Sequence, residues 1–288
     1  MYPFKPIRVV KRRPHLPSHA SILYDMQNIA ICAILKNEAR YLAEWLEYHR
    51  LIGVEHFYLY NNHSSDGIED VCAAYPDCVT LTDWPLLEDQ QRKAYQHYIE
   101  HYSMHARWTA FIDGDEFIVY KEGDNLAAYL RMHDDKNAIL MKWQIFGTNG
   151  HRTRPAGLVI ENYTMTHSTC PQPYWKTICR ASNIDALNIS TPHDFPYVTN
   201  DPVARPPIDA ICIYHYMLRS EEDVLRKASR GDAWSKTENL KKQRNPHASA
   251  QAYLKKYDDT DVYDGYMLKF REMLRRGLAL RGVLHPSC

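Results

Sequence analysis

The stretch RWTAFIDGDEFIVYK, residues 107–121, decides the fold. Strand-forming residues enter it (Trp108 to Ile112) and leave it (Phe117 to Tyr120), and three carboxylates, Asp113, Asp115 and Glu116, stand between. Along an extended backbone residues i and i+2 point the same way, so Asp113 and Asp115 can face one site, with Gly114 permitting close backbone approach. Two carboxylates about 4 Å apart repel by roughly 4 kcal/mol at an effective dielectric of 20, so a cation must compensate or one must take a proton. A divalent ion does this and leaves coordination positions open for phosphate oxygens. A second D-x-D, Asp259 and Asp261, lies in a polar acidic tract and reads as solvated surface.

Two other chemistries of DGDEF fit badly. A phosphatase of the haloacid dehalogenase type places its nucleophilic Asp after the first strand, with Thr or Ser soon after the second Asp; here the motif is late and Glu116 and Phe117 follow. A calcium loop needs further oxygen ligands in a twelve-residue frame, which Phe117, Ile118 and Val119 deny.

Outward from this stretch the chain alternates. NIAICAIL (28–35) is a near-continuous apolar run suited to a parallel strand covered on both faces. In EARYLAEWLEYHRLIG, Leu42, Trp45, Leu46 and His49 recur at helical spacing and Gly53 supplies the stop. HFYLY (56–60) reads as a strand, NNHSSDG (61–67) as a turn, GIEDVCAAY as a short helix and CVTLTDW as a third strand. Residues 89–106 read as a helix with Ala94, Tyr98, Ile99 and Tyr102 on one side, leading into the strand WTAFID. The carboxylates thus fall at a strand's carboxyl end, where ligands bind in open α/β sheets. A helix near 125–133, the strand AILMKWQIF, strand-like GLVIENYTM and WKTICRA, and the strand ICIYHY (211–216) follow. SEEDVLRKASRG opens a helix with Ser220 as N-cap and Asp223 in the capping-box position.

Length, charge and cysteines bound the partners. The 288 residues suit one α/β domain with an appendage. Lys plus Arg equals Asp plus Glu at 35 each, so no global field draws the chain onto nucleic acid. Seven cysteines, odd in number and without a CxxC pair, fit free thiols in a reduced cytoplasmic protein. The longest apolar stretch is far short of a membrane span, and the N-terminus lacks a signal peptide's apolar core, so a soluble, unexported protein is expected. The basic segments KPIRVVKRR and LKFREMLRRGLALRG suit peripheral contact with an anionic inner membrane face. The latter sets Leu268, Met273, Leu274 and Leu278 toward one helical face among Lys269, Arg271, Arg275 and Arg276. The competing reading is a terminal helix docked on its own domain.

ILKNEARYLAEWLEYHRLIGVEHFYLYNNHSSDG followed by WTAFIDGDEFIV strongly resembles the family 92 glycosyltransferases and their family 2 relatives, which share the GT-A fold. The likeness continues through QQRKAYQHYI, KWQIFGTNG, WKTICRAS and IYHYMLRSEEDVLRKASRG, over roughly residues 28–231. It implies a GT-A (Rossmann-like) mixed α/β sheet flanked by helices. The expected division is a basic segment (1–27), a glycosyltransferase domain (28–231, with its nucleotide-binding half at 28–120 and acceptor half at 121–231) and a helical C-terminal extension (232–288).

The resemblance also assigns roles. Asp113 and Asp115 would hold Mn²⁺ or Mg²⁺ on the donor's diphosphate, and His215 would complete the coordination as a neutral imidazole. Asn37 and Glu38 after the first strand, Asn62, Ser65 and Asp66 in the second turn, Gly114, and Gln91 before the D-x-D strand would contact the nucleotide. For Asn37 and Glu38 a helix start, and for Asn62, Ser65 and Asp66 simple turn chemistry, are the competing explanations. Relatives often carry Asp-Asn where this chain has Asn61-Asn62, which implies an altered base preference. Lys176, Lys227 and Arg230 would stabilise the leaving diphosphate. Family 92 members invert the anomeric centre, so a base must take the acceptor's proton; Asp194 in TPHDFP is chosen over Glu161. The implied reaction moves a sugar from a nucleotide donor, UDP-linked, to a saccharide acceptor in surface polysaccharide synthesis. A metal-dependent nucleotidyltransferase or hydrolase, and a catalytically idle sugar-nucleotide-binding module, are the alternatives.

Overall fold

The computed structural model of the chain describes residues 27–123, 125–169, 174–231 and 243–283. The basic N-terminal run, Cys170 and Cys288 lie outside these residues. Cys32, Cys72, Cys78, Cys179 and Cys212 are buried free thiols.

Strand β1 (Gln27–Leu35) buries every side chain from Ile29 to Leu35, as a strand covered on both faces must. Helix α1 (Ala39–Leu51) follows, and Gly53 at φ 104° takes the left-handed turn that sends the chain into β2 (His56–Asn61). Helix α2 (Ile68–Ala73), β3 (Val79–Asp83), α3 (Gln90–Tyr102), β4 (Ala106–Phe111), β5 (Glu116–Tyr120), α4 (Leu126–Arg131) and β6 (Ala138–Ile145) come next. Then follow α5 (Val159–Asn162), β7 (Met165–Thr166), β8 (Trp175–Cys179), β9 (Val203–Ala204), β10 (Ile211–His215), α6 (Glu221–Arg230), α7 (Pro246–Tyr257), β11 (Val262–Tyr263) and α8 (Arg271–Leu280).

The main sheet runs β3-β2-β1-β4-β8-β6-β10-β5, with β9 paired beside β6. Its first four strands are parallel; β8 is antiparallel to both β4 and β6, and β5 is antiparallel to β10. Between β4 and β5 lie four strand spacings, roughly 19 Å. Only Ile112 to Asp115 join them, and five peptide steps reach at most about 18 Å fully extended. This link is a turn, closed by Glu116 N–H on the Asp113 carbonyl at 3.1 Å. The sheet must therefore curl to bring its far edge back over the β4 end. The mixed α/β sheet flanked by helices is the architecture that the resemblance implies.

The edge strand β5 is covered by side chains of α1. Trp45 Nε1 donates to Glu116 O at 2.7 Å, Tyr48 Oη donates to Ile118 O at 2.8 Å, and His49 Nε2 accepts the Ile118 N–H at 3.2 Å. An exposed edge is thus converted into a buried seam. His49 is fully buried, and desolvation pushes its pKa down to about 3, so it stays neutral and can accept.

Local expectations are corrected at three places. The 89–106 helix ends at Tyr102, and a 3₁₀ turn at Ser103–His105 lets β4 begin at Ala106. GLVIENYTM contains the one-turn helix α5, because the Glu44 carboxylate accepts the N–H groups of Val159 (2.7 Å) and Ile160 (3.1 Å) at its start. In α8, Leu274 and Leu278 are buried in the core, but Met273 is 48% exposed. Arg275 pairs with Glu161 and Arg281 with Asp77. The apolar side of α8 is thus used against its own chain. The second D-x-D stands as expected: Asp259 and Asp261 are both exposed, and Asp261 accepts from the exposed Ser168 Oγ at 2.7 Å. Among the described residues no helix is long and apolar enough to cross a membrane.

Candidate active site

The turn after β4 opens onto a cavity of about 590 Å³. Of the residues singled out from the sequence, Glu38, Gln91, Asp113, Gly114, Asp115, Lys176, His215, Lys227 and Arg230 all line it. Asp113 and Asp115 both face this cavity, but because residues 113–116 form a turn and not an extended strand, each has its own partners. Asp113 accepts from Lys176 Nζ at 2.7 Å and from Gln91 Nε2 at 3.0 Å. Asp115 accepts from Lys227 Nζ, and its Oδ1 lies 3.4 Å from His215 Nε2. Register explains the last contact: His215 ends β10 directly opposite Glu116.

Gly114, besides lining the cavity, has a packing task. A Cβ there would stand 2.8 Å from Leu35 Cδ2 and 3.5 Å from Glu38 Cγ, so glycine allows the turn to sit on the β1–α1 junction. Over that junction lies Arg219, which donates to Glu38 Oε2 at 2.9 Å and to Gly114 O at 3.3 Å. Arg230 holds the other oxygen of Glu38. Both come from α6 or its approach, whose start is fixed by the Ser220–Asp223 capping box.

These pairings set the protonation states. Burial raises the pKa of Glu38, but Arg219, Arg230 and Lys227 outweigh it and hold the carboxyl at about 2. Burial of Asp115 is likewise overcome by Lys227 and His215, leaving it well below the usual carboxylate range. Glu116, enclosed at 0% exposure, is pushed up to about 7 by burial in spite of Lys176. Lys176, at 1% exposure, loses from burial but gains more from Asp113 and Glu116, so its pKa rises. Burial pushes Lys227 down; Asp115 opposes this, and Arg219 adds to it.

The opposite wall of the cavity is aromatic. Trp143, Tyr174, His193 and His215 line it. The Tyr174 and His193 rings stack at 5.2 Å and 11°, and Trp143 lies against both His193 (5.6 Å) and His215 (4.4 Å). His193 Nδ1 bonds Trp175 O at 3.0 Å, which makes Nδ1 the N–H and leaves Nε2 as the acceptor. Burial, and then Lys176, lower its pKa and keep it neutral.

Five of the sequence candidates fall elsewhere. Asn62 is buried and spans Trp84 O and Leu86 O, both at 2.9 Å, tying the loop after β3 to β2. Asn37, Ser65 and Asp66 line a separate depression. There Asn37 Oδ1 accepts the Ser65 N–H (2.7 Å), and Asp66 accepts the Ala39 N–H (2.8 Å) at the start of α1, the task Glu38 leaves undone. Asp194 is not among the cavity-lining residues; its Oδ1 accepts its own neighbour's N–H, from Phe195 at 2.9 Å. Its rival Glu161 is engaged by Arg275 and by Leu158 N–H. Trp143, Tyr174, His193 and Arg219 were not singled out. Arg219 carried a local signal, standing beside the Ser220 cap, whereas the aromatic wall is assembled from β6, the start of β8 and the loop before β9 and has no local signature.

The donor chemistry fits a hard dication. Asp115 Oδ1 and His215 Nε2 face each other, and His215 Nδ1 lies 3.8 Å from Glu116 Oε1, both atoms buried without a hydrogen-bond partner. A carboxylate behind a histidine is the arrangement that orients an imidazole ligand. Yet among the described residues no three His, Cys, Asp or Glu side chains are gathered tightly enough to hold a metal. Lys227 stands on Asp115, and Lys176 on Asp113.

Known proteins extend this picture. A protein of rice (Oryza sativa subsp. japonica) named for glycosyltransferase family 92 is 31% identical over 178 residues, covering 58% of this chain and 29% of its own length. One of Ricinus communis, named for the same family, is 29% identical over 178 residues, covering 58% and 31%. The chain thus spans about a third of the length of these relatives. Among solved structures, S. aureus TarS 1–349 superposes with a TM-score of 0.46 at 13% identity, over 77% of this chain and 72% of that one. The sequence profile described as Glycosyltransferase family 92 matches residues 27–273, across the curled sheet, the D-x-D turn and α6 alike, and the chain belongs to that family.

Proposed function

We propose that this protein transfers a sugar from a nucleoside-diphosphate donor, UDP-linked, to a saccharide acceptor, with inversion at the anomeric carbon. The observation that carries the proposal is the single cavity in which an acidic turn faces Lys176, Lys227 and Arg230 across from an aromatic wall. The cationic side suits a diphosphate that gains charge as it leaves. The aromatic side suits a sugar ring, whose apolar faces pack on flat side chains. A Mn²⁺ or Mg²⁺ ion held by Asp115 and His215, with Asp113 adjacent, would add Lewis-acid charge stabilisation at the leaving group.

The residues of the chain divide the remaining work. Lys227 and Arg230 neutralise the departing diphosphate, and Lys176 holds Asp113 in place. His193, with Nδ1 committed to Trp175 O and Nε2 left as acceptor, takes the proton of the attacking hydroxyl in place of Asp194. Every carboxylate that lines the cavity is already paired to a cation, and Glu38 and Asp115, held low by theirs, are poor bases for that reason.

Incubation of the protein with Mn²⁺ and a panel of sugar nucleotides tests the reading. Release of nucleoside diphosphate is expected. Pyrophosphate release would instead mark a nucleotidyltransferase, and binding without turnover an idle module. Asp115→Asn should abolish metal-dependent donor binding while the fold survives; unchanged affinity would refute the assignment.

A further inference from the structure

The pairing of Lys227 with Asp115 has a consequence for how the cavity fills. Lys227 is no loose surface cation. Its ammonium is held between Asp115 and the Met217 carbonyl (2.7 Å), on the inward face of α6, with 20% of the side chain exposed. Asp115 itself is 12% exposed, and its second oxygen faces His215. The carboxylate therefore already has a compensating charge. A bare dication approaching it must evict that charge.

The rest of the lining discourages the exchange. Lys36, Lys176, Lys227 and Arg230 line the cavity against Glu38, Asp113 and Asp115, so a metal ion alone enters a wall that is already net positive. Asp113 offers little help while Lys176 holds it at 2.7 Å. A nucleoside diphosphate reverses the balance: its phosphate oxygens give the Lys227 ammonium a new acceptor within the same cavity, and Asp115 is released.

We propose that Lys227 is a resident counter-cation of Asp115 that a divalent ion replaces only when a nucleoside diphosphate is present, so that metal and nucleotide bind cooperatively. This rests on the donor-binding reading above. Because linkage is reciprocal, the factor by which UDP tightens Mn²⁺ binding equals the factor by which Mn²⁺ tightens UDP binding. Lys227 thereby keeps the site from trapping free metal and makes the metal report the nucleotide.

Titration calorimetry of the full chain with Mn²⁺, without UDP and with saturating UDP, tests this on the wild type, K227M and K227R. The wild type should bind Mn²⁺ at least about tenfold more tightly with UDP than without, within the usual range of such couplings. K227M should bind Mn²⁺ alone at least about tenfold more tightly than wild type and lose most of the coupling, while K227R, which keeps the charge, behaves as wild type. Far-UV circular dichroism checks that K227M is folded; if it is not, K227Q takes its place, and the wild-type coupling stands as a test by itself. Equal Mn²⁺ affinity with and without UDP in the wild type, or unchanged metal-alone affinity in folded K227M, overturns the proposal. Wild type that binds no UDP with or without Mn²⁺ overturns the donor reading instead, and the metal-alone comparison of wild type with K227M still decides whether Lys227 competes for Asp115.

Discussion

Arg219 donates to Glu38 at 2.9 Å across 181 positions of sequence, and with 1% and 5% exposure both are buried. The pair clamps the end of β1 to the approach of α6, with the Gly114 carbonyl as third member. Removing one partner of such a pair strands the other, at a cost of about 3–5 kcal/mol. Arg219→Met should fall at the lower end, because Arg230 still holds Glu38. Chemical denaturation at neutral pH measures this; a loss under about 1 kcal/mol would show the clamp to be decorative.

The same carboxyl gives a pH dependence whose sign follows from its pairing. Glu38 titrates at about 2 in the folded chain against an ordinary 4.5. On acidification the unfolded chain takes the proton first, so the stabilisation is full above about 4.5 and is lost as pH falls toward 2. Its size is on the order of 3 kcal/mol. Glu44 and Glu116, both pushed up to about 7 by burial, act oppositely: between about 4.5 and 7 the folded chain binds their protons more tightly, so stability falls as pH rises through that window. The check is therefore a difference. The stability gap between wild type and Glu38→Gln should shrink as melting curves are taken from pH 5 down to about pH 3; a gap independent of pH contradicts the assigned pairing.

How much of this could be read from sequence depends on how local each cause is. The apolar runs of β1, β2 and β10, the helical spacing of Leu42, Trp45, Leu46 and His49, and the Ser220–Asp223 cap depend on neighbours a few positions away, and all were legible. The family likeness marked the acidic turn and the cations around it. What was not legible came from distant partners. Strand propensity in GLVIENYTM is overruled by Glu44, more than a hundred positions earlier. Asn62 and Asp66 look like ligand contacts in the turn, yet they satisfy backbone groups of the loop after β3 and of the start of α1. In TPHDFP, sequence cannot tell which of two adjacent side chains, His193 or Asp194, points inward.

Gly114 offers a test of how the acidic turn is seated. A methyl group there meets Leu35, itself fully packed, at 2.8 Å, so Gly114→Ala must displace either the turn or the end of β1. Overpacking of this kind costs about 1–3 kcal/mol. The displaced turn carries Asp113 and Asp115, so UDP affinity in the presence of Mn²⁺ should fall by about tenfold or more at a temperature where the variant is folded. If stability drops while affinity is unchanged, the glycine serves packing alone.

The choice between His193 and Asp194 separates two readings of one loop. His193 faces the cavity, stacks on Tyr174 and has its tautomer set by Trp175 O; Asp194 caps its own loop through Phe195 N–H. A general base contributes about 10²–10⁴ in rate. Accordingly His193→Ala should lower turnover of the UDP-sugar by that factor at little change in UDP affinity, since the proposed reading sets the donor's diphosphate against the cationic wall and not the aromatic one. Asp194→Asn should keep turnover within a few-fold and lose at most about 1 kcal/mol of stability from the weakened loop bond. Initial-rate assays of UDP release with each variant, paired with UDP titrations, decide the matter. The reverse pattern, a silent His193→Ala and an inactive Asp194→Asn of unchanged stability, would return the base to the aspartate and require the loop to turn over when an acceptor binds.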